Sequence, residues 1–364
     1  MIIKKILIYL REYLTIFSLY DYKKMMKENY HPHKKLAICI GFSPWKQLYI
    51  QEYLVEYTCI FTKHHTSAFK LIRFFDSLVN DFEVFIWSYK ESKRLNEYFK
   101  RNNISVVRVE DGFIRSIGLG LYETKPLSLV FDKRGLYFNT KEISDLEHIL
   151  LYNAKDFDID MLSKARDLMK IIREKGISKY NFPKEKTSLV NIPQDKKIIL
   201  VIGQVEDDMS IKYGCSTMIT NLDLLKCAYT ENQEHYIIYK PHPDTLTGVR
   251  KVISPLSECQ KFCNQIEDTT SLNRLLTIAS HIYTITSLSG FEALLYGKKV
   301  TCLGSPFYSG WGLTDDRDKR DINGKIELSL EQVFYASYVM YPKYILGDID
   351  TTINFIEKGL VNDI

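Results

Sequence analysis

Apolar residues recur along the first half of the chain in short β-rich runs, separated by stretches with helical spacing. The β-rich runs lie at residues 36–42, 57–61, 84–87 and 105–109. A longer stretch at residues 158–175 places its apolar side chains on one helical face, among them Leu162, Ala165, Leu168, Met169 and Ile172. Strands that alternate with helices are typical of a parallel sheet covered by helices. The pattern therefore predicts an α/β domain in this part of the chain.

A second series of the same kind begins at residues 196–203, where an apolar run with the character of a buried strand ends in glycine. Further strand and helix patterns follow at residues 235–240, 271–279, 281–285, 290–296 and 300–303, and a last helical one at about 330–338. A polar segment with Pro183, Ser188 and Pro193 separates the two series and has the composition of a linker. We expect an α/β fold of two Rossmann-like lobes that face a cleft, because ligands bind beyond the carboxyl ends of parallel strands.

These patterns set the expected domain limits. Residues 1–35 form a basic amphipathic extension, residues 36–182 a first α/β domain, residues 195–328 a second one, and residues 329–364 a helical tail that returns towards the first lobe. The extension holds eight Lys and Arg against three acids, whereas the whole chain carries a net charge of +4. Its apolar positions have helical spacing, so it is either an amphipathic helix on an anionic inner-membrane surface or a helix packed on the protein body.

Composition narrows the class of protein. The 364 residues are 45% hydrophobic and 26% charged, as in soluble globular proteins. The seven cysteines are scattered without the spacing of zinc ligands, so reduced thiols are expected. No apolar run has the length of a membrane span, which favours a cytoplasmic protein, peripheral on the inner membrane if the extension binds there. Nucleic-acid binding is not expected, because the excess basic charge lies at one end of the chain without a reading motif.

The run Lys240-Pro241-His242-Pro243 directly follows a strand pattern. Proline on both sides of the histidine predicts an extended turn that excludes helix and presents His242 rigidly. A histidine in this place can donate to a phosphate oxygen, and Lys240 adds positive charge. The alternative interpretation is a stiff surface turn with an incidental histidine.

A strand–turn–helix pattern begins at Thr286. Ser287 and Ser289 supply hydroxyls and an N-cap, Gly290 lets a ligand approach the backbone, and Gly297 ends the helix. The first turn of such a helix binds anions through its amides and dipole, so the run from residue 286 to 312 is expected to hold a phosphate. A capped helix without any ligand would show the same residues.

Three consecutive acids, Glu206, Asp207 and Asp208, follow Gln204 at the carboxyl end of the second lobe's first strand. Clustered carboxylates can bind a metal ion, act as acid and base groups, or cap the next helix. Capping needs only one of them, so all three interpretations stay open.

Two acids, Glu110 and Asp111, follow a strand of the first lobe, and Arg115 comes four residues later. The glycines nearby form neither GxGxxG nor GxxxxGK[ST], which excludes a Rossmann dinucleotide site and a Walker site. The two acids and the arginine either face a cleft where acceptor and donor sugar meet, or lie in a tight turn with solvated charges.

Six motifs, in this order, closely resemble those of the KpsC/LipA-type capsule polysaccharide proteins. They are EDGFIRS at residues 110–116, SLVFD at 128–132, QVEDD at 204–208, KPHP at 240–243, SGFEAL at 289–294 and GSPFYSGWGLT at 304–314. The resemblance spans about residues 36–325. That family consists of retaining β-Kdo glycosyltransferases, which use CMP-Kdo to build a short Kdo linker on a lysophosphatidylglycerol lipid for Gram-negative capsules. The resemblance thus implies a GT-B-like fold, with CMP-Kdo bound in the second lobe and the acceptor on the side of the first.

The resemblance also implies a double displacement. Asp208, four places after Gln204, would be the nucleophile, with Asp207 as the alternative, and Glu110 would deprotonate the acceptor hydroxyl. His242 and Ser287 would stabilise the departing CMP. The other substrate-binding residues implied are Asp111, Arg115, Gln204, Lys240, Ser289, Gly290 and Glu292. No metal or other cofactor is expected, although the acids at residues 206–208 leave open whether a cation binds there.

The full capsule enzymes of this type commonly carry two such modules, whereas this chain has room for one. The acceptor therefore stays open between a lipid-linked and an oligosaccharide substrate, and capsule assembly proteins are candidate partners. Two alternatives also remain: transfer of another CMP-activated nonulosonate, and a non-catalytic component of capsule assembly or polysaccharide export.

Overall fold

The computed structural model describes residues 34–62, 68, 69, 72, 82–118, 124–181, 193, 195–246, 252–318 and 326–362. Almost all of the predicted extension and linker lies outside these residues, so both stay predictions. The chain divides into two compact units, residues 1–110 and 111–364. The domain limits expected from the sequence also stay a prediction. Within the described residues, no helix has the length and apolar character needed to cross a membrane.

The first unit contains a parallel sheet with helices between its strands. Its elements are β1 (Lys35–Ile40), α1 (Pro44–Tyr53), β2 (Tyr57–Thr62), β3 (Phe82–Trp87), α2 (Lys93–Arg101) and β4 (Val106–Asp111). The strands lie in the order β2-β1-β3-β4, and Ile38 of β1 pairs with Ile60 on one side and Val84 on the other. These three side chains are at most 1% exposed, as expected for strands predicted from apolar runs.

The second unit opens with short strands and helices and one long helix. They are β5 (Ser116–Ile117), β6 (Ser128–Asp132), α3 (Asp145–Tyr152), a 3-10 turn (Ala154–Asp156), α4 (Ile159–Lys175) and β7 (Tyr180–Asn181). Helix α4 confirms the helix predicted at residues 158–175. Asp158 begins it by accepting a hydrogen bond from the Met161 amide at 2.9 Å, and Gly176, at φ +68°, ends it.

A second parallel sheet follows. Its strands and helices are β8 (Ile198–Ile202), α5 (Met209–Gly214), α6 (Asn221–Glu231), β9 (Tyr236–Lys240), α7 (Pro243–Leu246), α8 (Leu256–Cys259), a 3-10 turn (Gln260–Phe262), β10 (Gln265–Ile266), α9 (Leu272–Ile278), β11 (His281–Thr284), α10 (Leu288–Leu295), β12 (Lys299–Cys302) and β13 (Asp315–Asp316). The strand order is β10-β9-β8-β11-β12-β13. Strand β9 lies on one side of β8 and β11 on the other, so the chain changes direction across the sheet at β8. A crevice at such a point is the usual ligand site of this architecture.

The C-terminal segment packs against β6. It consists of α11 (Leu330–Phe334), a π-helical stretch (Tyr335–Met340), β14 (Pro342–Tyr344) and α12 (Ile349–Asn362). Strand β14 runs antiparallel to β6. The fully buried Asp132 carboxylate accepts the Tyr341 hydroxyl and the Gly135 and Asp145 amides, each at 2.8 Å. This carboxylate therefore joins β6 to the C-terminal segment through hydrogen bonds that replace its hydration.

An aromatic cluster joins segments that are far apart in the sequence. Phe113 follows β4, Phe291 lies in α10, Phe307 follows β12, and Tyr338 lies in the π-helical stretch. Ring centroids are 4.8 Å apart for Phe113 and Phe307, 5.2 Å for Phe291 and Phe307, and 5.7 Å for Phe291 and Tyr338. Buried aromatic rings at these separations contribute both apolar area and favourable ring geometry. The cluster thus fixes α10 against the loop after β12.

Gly290 is required by packing within this region. A Cβ atom added there would lie 2.1 Å from the Tyr308 hydroxyl and 2.9 Å from Cγ2 of Thr284. That hydroxyl donates to the Ser287 carbonyl at 2.6 Å. Packing against Tyr308 therefore already accounts for a glycine at this position, and the approach of a ligand to the Gly290 backbone stays a prediction.

A buried carboxylate connects α10 to another segment of the second unit. Glu292 is 5% exposed and accepts a hydrogen bond from the Lys179 amide at 3.1 Å. Burial raises the pKa of Glu292 to about 7, although the Lys179 amide and ammonium favour the charged form. The link ties α10 to the residues just before β7.

We predict that Gly290→Ala lowers the free energy of unfolding by about 1–3 kcal/mol, because the added methyl group must displace Tyr308. In a Tyr308→Phe background the same change should cost less, since the hydroxyl nearest the new atom is gone. Urea unfolding of the wild type, both single variants and the double variant measures this coupling. An equal cost in both backgrounds would contradict the packing role of Gly290.

A second prediction concerns pH. Between about pH 4.5 and 7, folded Glu292 keeps a proton that the unfolded chain has lost, so this group makes the fold less stable as pH rises. Glu292→Gln removes that dependence. The stability of the variant relative to wild type should therefore increase from pH 5 to pH 8, by up to about 3 kcal/mol.

Urea unfolding at the two pH values measures the difference, and Glu174→Gln, at an exposed position of α4, is the matched control. A relative stability of Glu292→Gln that is the same at both pH values would rule out the raised pKa.

Candidate functional site

Four of the predicted motifs lie at one edge of the second sheet. They follow β8, β9, β11 and β12, which are adjacent in that sheet and parallel. The carboxyl ends of adjacent parallel strands meet at the same edge, so the loops at residues 204–208, 240–243, 286–290 and 304–314 are neighbours. This carboxyl edge is the candidate site.

Gln204 fastens two of these loops together. Its side-chain oxygen accepts the Thr286 amide at 2.7 Å, and its side-chain nitrogen donates to the Thr286 hydroxyl at 3.1 Å. Its main chain exchanges two hydrogen bonds with the Asn221 side chain, at 2.9 and 2.8 Å. The side chain is thus engaged within the protein, and Gln204 positions the loop after β11 instead of presenting a free amide to a ligand.

The three acids after Gln204 have different surroundings. Glu206 is 4% exposed and accepts the amides of Asn221, Ile253 and Ser254 at 2.8–2.9 Å, together with the Ser254 hydroxyl. It is therefore a structural carboxylate. Asp207 is exposed. Across the part of the chain that the structure describes, no group of three His, Cys, Asp or Glu side chains has the arrangement of a metal site.

Asp208 is the N-cap of α5. Its Oδ1 atom accepts the Ser210 amide at 2.8 Å, and its side chain is half-buried. The second oxygen, Oδ2, makes no hydrogen bond to the described residues. Capping orients the carboxylate and still leaves one oxygen for chemistry, so the two interpretations of Asp208 are compatible.

The run at residues 240–243, the histidine turn, differs from its prediction. The expectation that the prolines exclude helix is wrong, because Pro243 begins α7; proline suits the first turn of a helix, where its missing N–H is not needed. His242 Nδ1 accepts the Asp244 amide at 3.1 Å. In the neutral ring the proton is then on Nε2, which becomes the donor. Lys240 donates to the Asp268 carbonyl at 3.4 Å.

Hydroxyl groups mark the beginning of α10. Ser287 is its N-cap and accepts the Ser289 amide at 3.2 Å, as predicted. The Gly290 amide donates to the Ser287 carbonyl at 3.1 Å, so these two amides already have acceptors. The half-buried Ser289 hydroxyl has no hydrogen-bond partner among the described residues. The hydroxyls of Ser287 and Ser289, supported by the helix dipole, are thus the donors that an anion would meet.

The first motif is divided between the units. Glu110 lies in β4 of the first unit and is half-buried. In the second unit, Arg115 is 1% exposed and its Nε atom is 3.4 Å from Oδ1 of Asp111. The guanidinium also donates to the hydroxyls of Ser116 at 2.9 Å and Thr124 at 2.6 Å. Arg115 therefore acts on Asp111 and not on open solvent.

Lys179, which sequence reasoning missed, joins residues 115 and 116 of the first motif to α10 within the second unit. The Lys179 carbonyl accepts the amides of Arg115 at 2.9 Å and Ser116 at 3.2 Å, and its own amide donates to Glu292. Strand β7, which begins at Tyr180, pairs with β5. Two residues form this strand, which is too short to give a pattern in the sequence.

The Tyr180 phenol lies in the field of several charged groups. The nearby Lys179 ammonium lowers its pKa, but burial and the carboxylates of Asp111 and Asp244 outweigh that effect, with the net result that the pKa of Tyr180 is raised. The residues that act on this phenol come from the first motif and from the histidine turn.

Comparison with known proteins agrees with these motifs. The sequence model of the capsule polysaccharide biosynthesis protein family matches residues 83–348. The chain is 38% identical over 319 residues to the lipopolysaccharide-processing protein LpsZ of Rhizobium meliloti. This alignment covers 88% of this chain and 72% of LpsZ. It is also 38% identical over 347 residues to the capsule polysaccharide modification protein LipA of Neisseria meningitidis serogroup B, covering 93% of this chain and 47% of LipA. The chain thus spans about half the length of LipA.

Two solved structures from Thermosulfurimonas dismutans KpsC have the same fold. The β-Kdo 2,7 transferase aligns with a TM-score of 0.68 at 33% identity, covering 90% of this chain and 98% of that one. The β-Kdo 2,4 transferase aligns with a TM-score of 0.74 at 29% identity, covering 90% and 99%. These structures confirm the predicted α/β, GT-B-like fold class. The chain belongs to the capsule polysaccharide biosynthesis protein family.

Proposed function

We propose that this protein is a retaining β-Kdo glycosyltransferase that transfers Kdo from CMP-Kdo to a lipid-linked or glycan acceptor during capsule synthesis. The observation that carries the proposal is the meeting of a histidine donor, serine hydroxyls and an acid-bearing loop at one sheet edge. The similarity to the two β-Kdo transferase structures supports the choice of sugar.

In this proposal the donor phosphate binds between the histidine turn and the start of α10. The Nε2–H of His242 and the hydroxyls of Ser287 and Ser289 donate to its oxygens, and Lys240 adds positive charge. His242 and Ser287 are held by internal hydrogen bonds, so little reorganisation of these two is needed when negative charge grows on the departing CMP. Gln204 keeps the loop after β11 in place.

The first chemical step uses an aspartate. An oxygen of Asp208 forms a bond to the anomeric carbon while the bond from that carbon to the phosphate oxygen breaks, and CMP leaves with the electron pair. The N-cap hydrogen bond at Oδ1 leaves Oδ2 as the attacking atom. Asp207, which is exposed one residue earlier, is the alternative nucleophile.

The second step releases the enzyme. The acceptor hydroxyl oxygen attacks the anomeric carbon, its proton passes to the Glu110 carboxylate, and the ester bond to Asp208 breaks to restore the carboxylate. Two inversions at one carbon give net retention. Glu110 is half-buried in the last part of β4, next to its final residue, Asp111.

Transfer itself is the first test. Protein, CMP-Kdo and a Kdo-primed acceptor should yield CMP and a product heavier by one Kdo residue, detected by mass spectrometry. CMP should also raise the melting temperature of the protein, whereas UDP and GDP should not. Transfer from a CMP-activated sialic acid but not from CMP-Kdo would favour the other nonulosonate function. No CMP binding and no product with several acceptors would favour a non-catalytic role.

The nucleophile is tested with variants that keep the helix cap. Asparagine caps helices as well as aspartate does, so Asp208→Asn should fold normally and yet fail to form a covalent adduct. Intact-mass measurement after addition of CMP-Kdo without acceptor should show a Kdo adduct on wild type and on Asp207→Asn, but not on Asp208→Asn. An adduct that survives in Asp208→Asn and disappears in Asp207→Asn would move the nucleophile to Asp207.

A further inference from the structure

A donor sugar such as Kdo bears a carboxylate on its anomeric carbon, next to the phosphate of CMP. A site for it must hold two anionic groups of one ligand, and the second one needs its own donors. The histidine turn and the start of α10 supply donors for the phosphate. The donors for the carboxylate are still to be assigned, and their assignment rests on the proposed function.

Lys179 is a cation whose main chain is fixed from two sides. Its carbonyl accepts two amides of the first motif, from Arg115 and Ser116, and its amide donates to Glu292 of α10. The side chain is half-buried, and its ammonium lies 5.7 Å from the centroid of the Tyr180 ring. The main chain of the residue is therefore fixed against α10, and its ammonium lies near the Tyr180 ring.

Tyr180 is the residue next to this cation, and its main chain is also fixed. Its strand is fixed by pairing with β5, and the Asn181 side chain donates to the carbonyls of Ser116 at 3.1 Å and Ser178 at 2.9 Å. The charges of Lys179, Asp111, Arg115 and Asp244 all act on its phenol. A tyrosine phenol is protonated at neutral pH and can donate, and the raised pKa of Tyr180 does not change this.

The other basic residues of the candidate site have different tasks. Arg115 is 1% exposed and bound to Asp111 and two hydroxyls, so its guanidinium is directed inward. Lys240 follows β9 and donates to the Asp268 carbonyl. Lys179 differs from both because it lies beside α10, whose first turn presents the phosphate donors, and because its side chain is half-exposed.

We propose that Lys179 and Tyr180 bind the carboxylate of the donor sugar, the ammonium as counter-ion and the phenol as hydrogen-bond donor. The pair thereby selects an acidic sugar over a neutral one on the same nucleotide. It also holds the anomeric carbon at a fixed distance from the phosphate donors of α10.

The test compares two ligands that differ by the acidic sugar. Lys179→Met removes the charge and keeps the main-chain contacts and an unbranched side chain of similar length, so the fold should be preserved. In a transfer assay, its KM for CMP-Kdo should rise about tenfold or more, whereas the inhibition constant of CMP should change less than twofold. Lys179→Arg should recover most of the lost affinity, and Tyr180→Phe should show a smaller rise in the same KM.

Lys226→Met, at an exposed position of α6, is the matched control and should leave both constants unchanged. If Lys179→Met weakens CMP and CMP-Kdo equally, or weakens neither, the carboxylate assignment is overturned while the proposed function stands. If the wild type neither transfers Kdo nor binds CMP, the proposed function fails and the assignment fails with it.

Discussion

The aromatic cluster around Phe307 is the packing on which the candidate site depends. It brings Phe113, Phe291 and Tyr338 together, although these residues lie far apart in the sequence. Each ring belongs to an element that carries site residues or adjoins one: the first motif, α10 and the C-terminal segment. Because the rings are buried and close, α10 cannot shift without opening the cluster. The cluster therefore also fixes the position of the hydroxyl groups at the start of α10.

Buried carboxylates complete this framework. Glu206 holds the loop at residues 252–254 to the site, Asp132 holds the C-terminal segment to β6, and Glu292 holds Lys179 to α10. All three lie in motifs that resemble those of the capsule polysaccharide family, and all three accept hydrogen bonds from within the protein. Acids in such a motif therefore divide into structural acceptors and groups that remain accessible, and only contacts distinguish them. Asp208 combines both characters, since one oxygen caps α5 and the other remains.

Much of the second sheet could be predicted because its strands are local apolar runs. The caps of α4 and α10 were predictable for the same reason, since a cap depends on one or two neighbouring residues. The histidine turn was predicted wrongly where one local preference opposed another: Pro243 disfavours the interior of a helix but suits its beginning. The contact between Gln204 and Thr286 and the bridge through Lys179 join residues about 80 to 110 positions apart. No local pattern carries such information, and so the bridging role of Lys179 emerged only from the structure.

The central claim is that the carboxyl edge of the second sheet binds the nucleotide of a CMP-sugar. A crystal structure of the protein with CMP tests this most directly. We expect the phosphate within hydrogen-bond distance of His242 Nε2 and of the hydroxyls of Ser287 and Ser289. Ordered CMP elsewhere, with these three groups unoccupied, would contradict the claim.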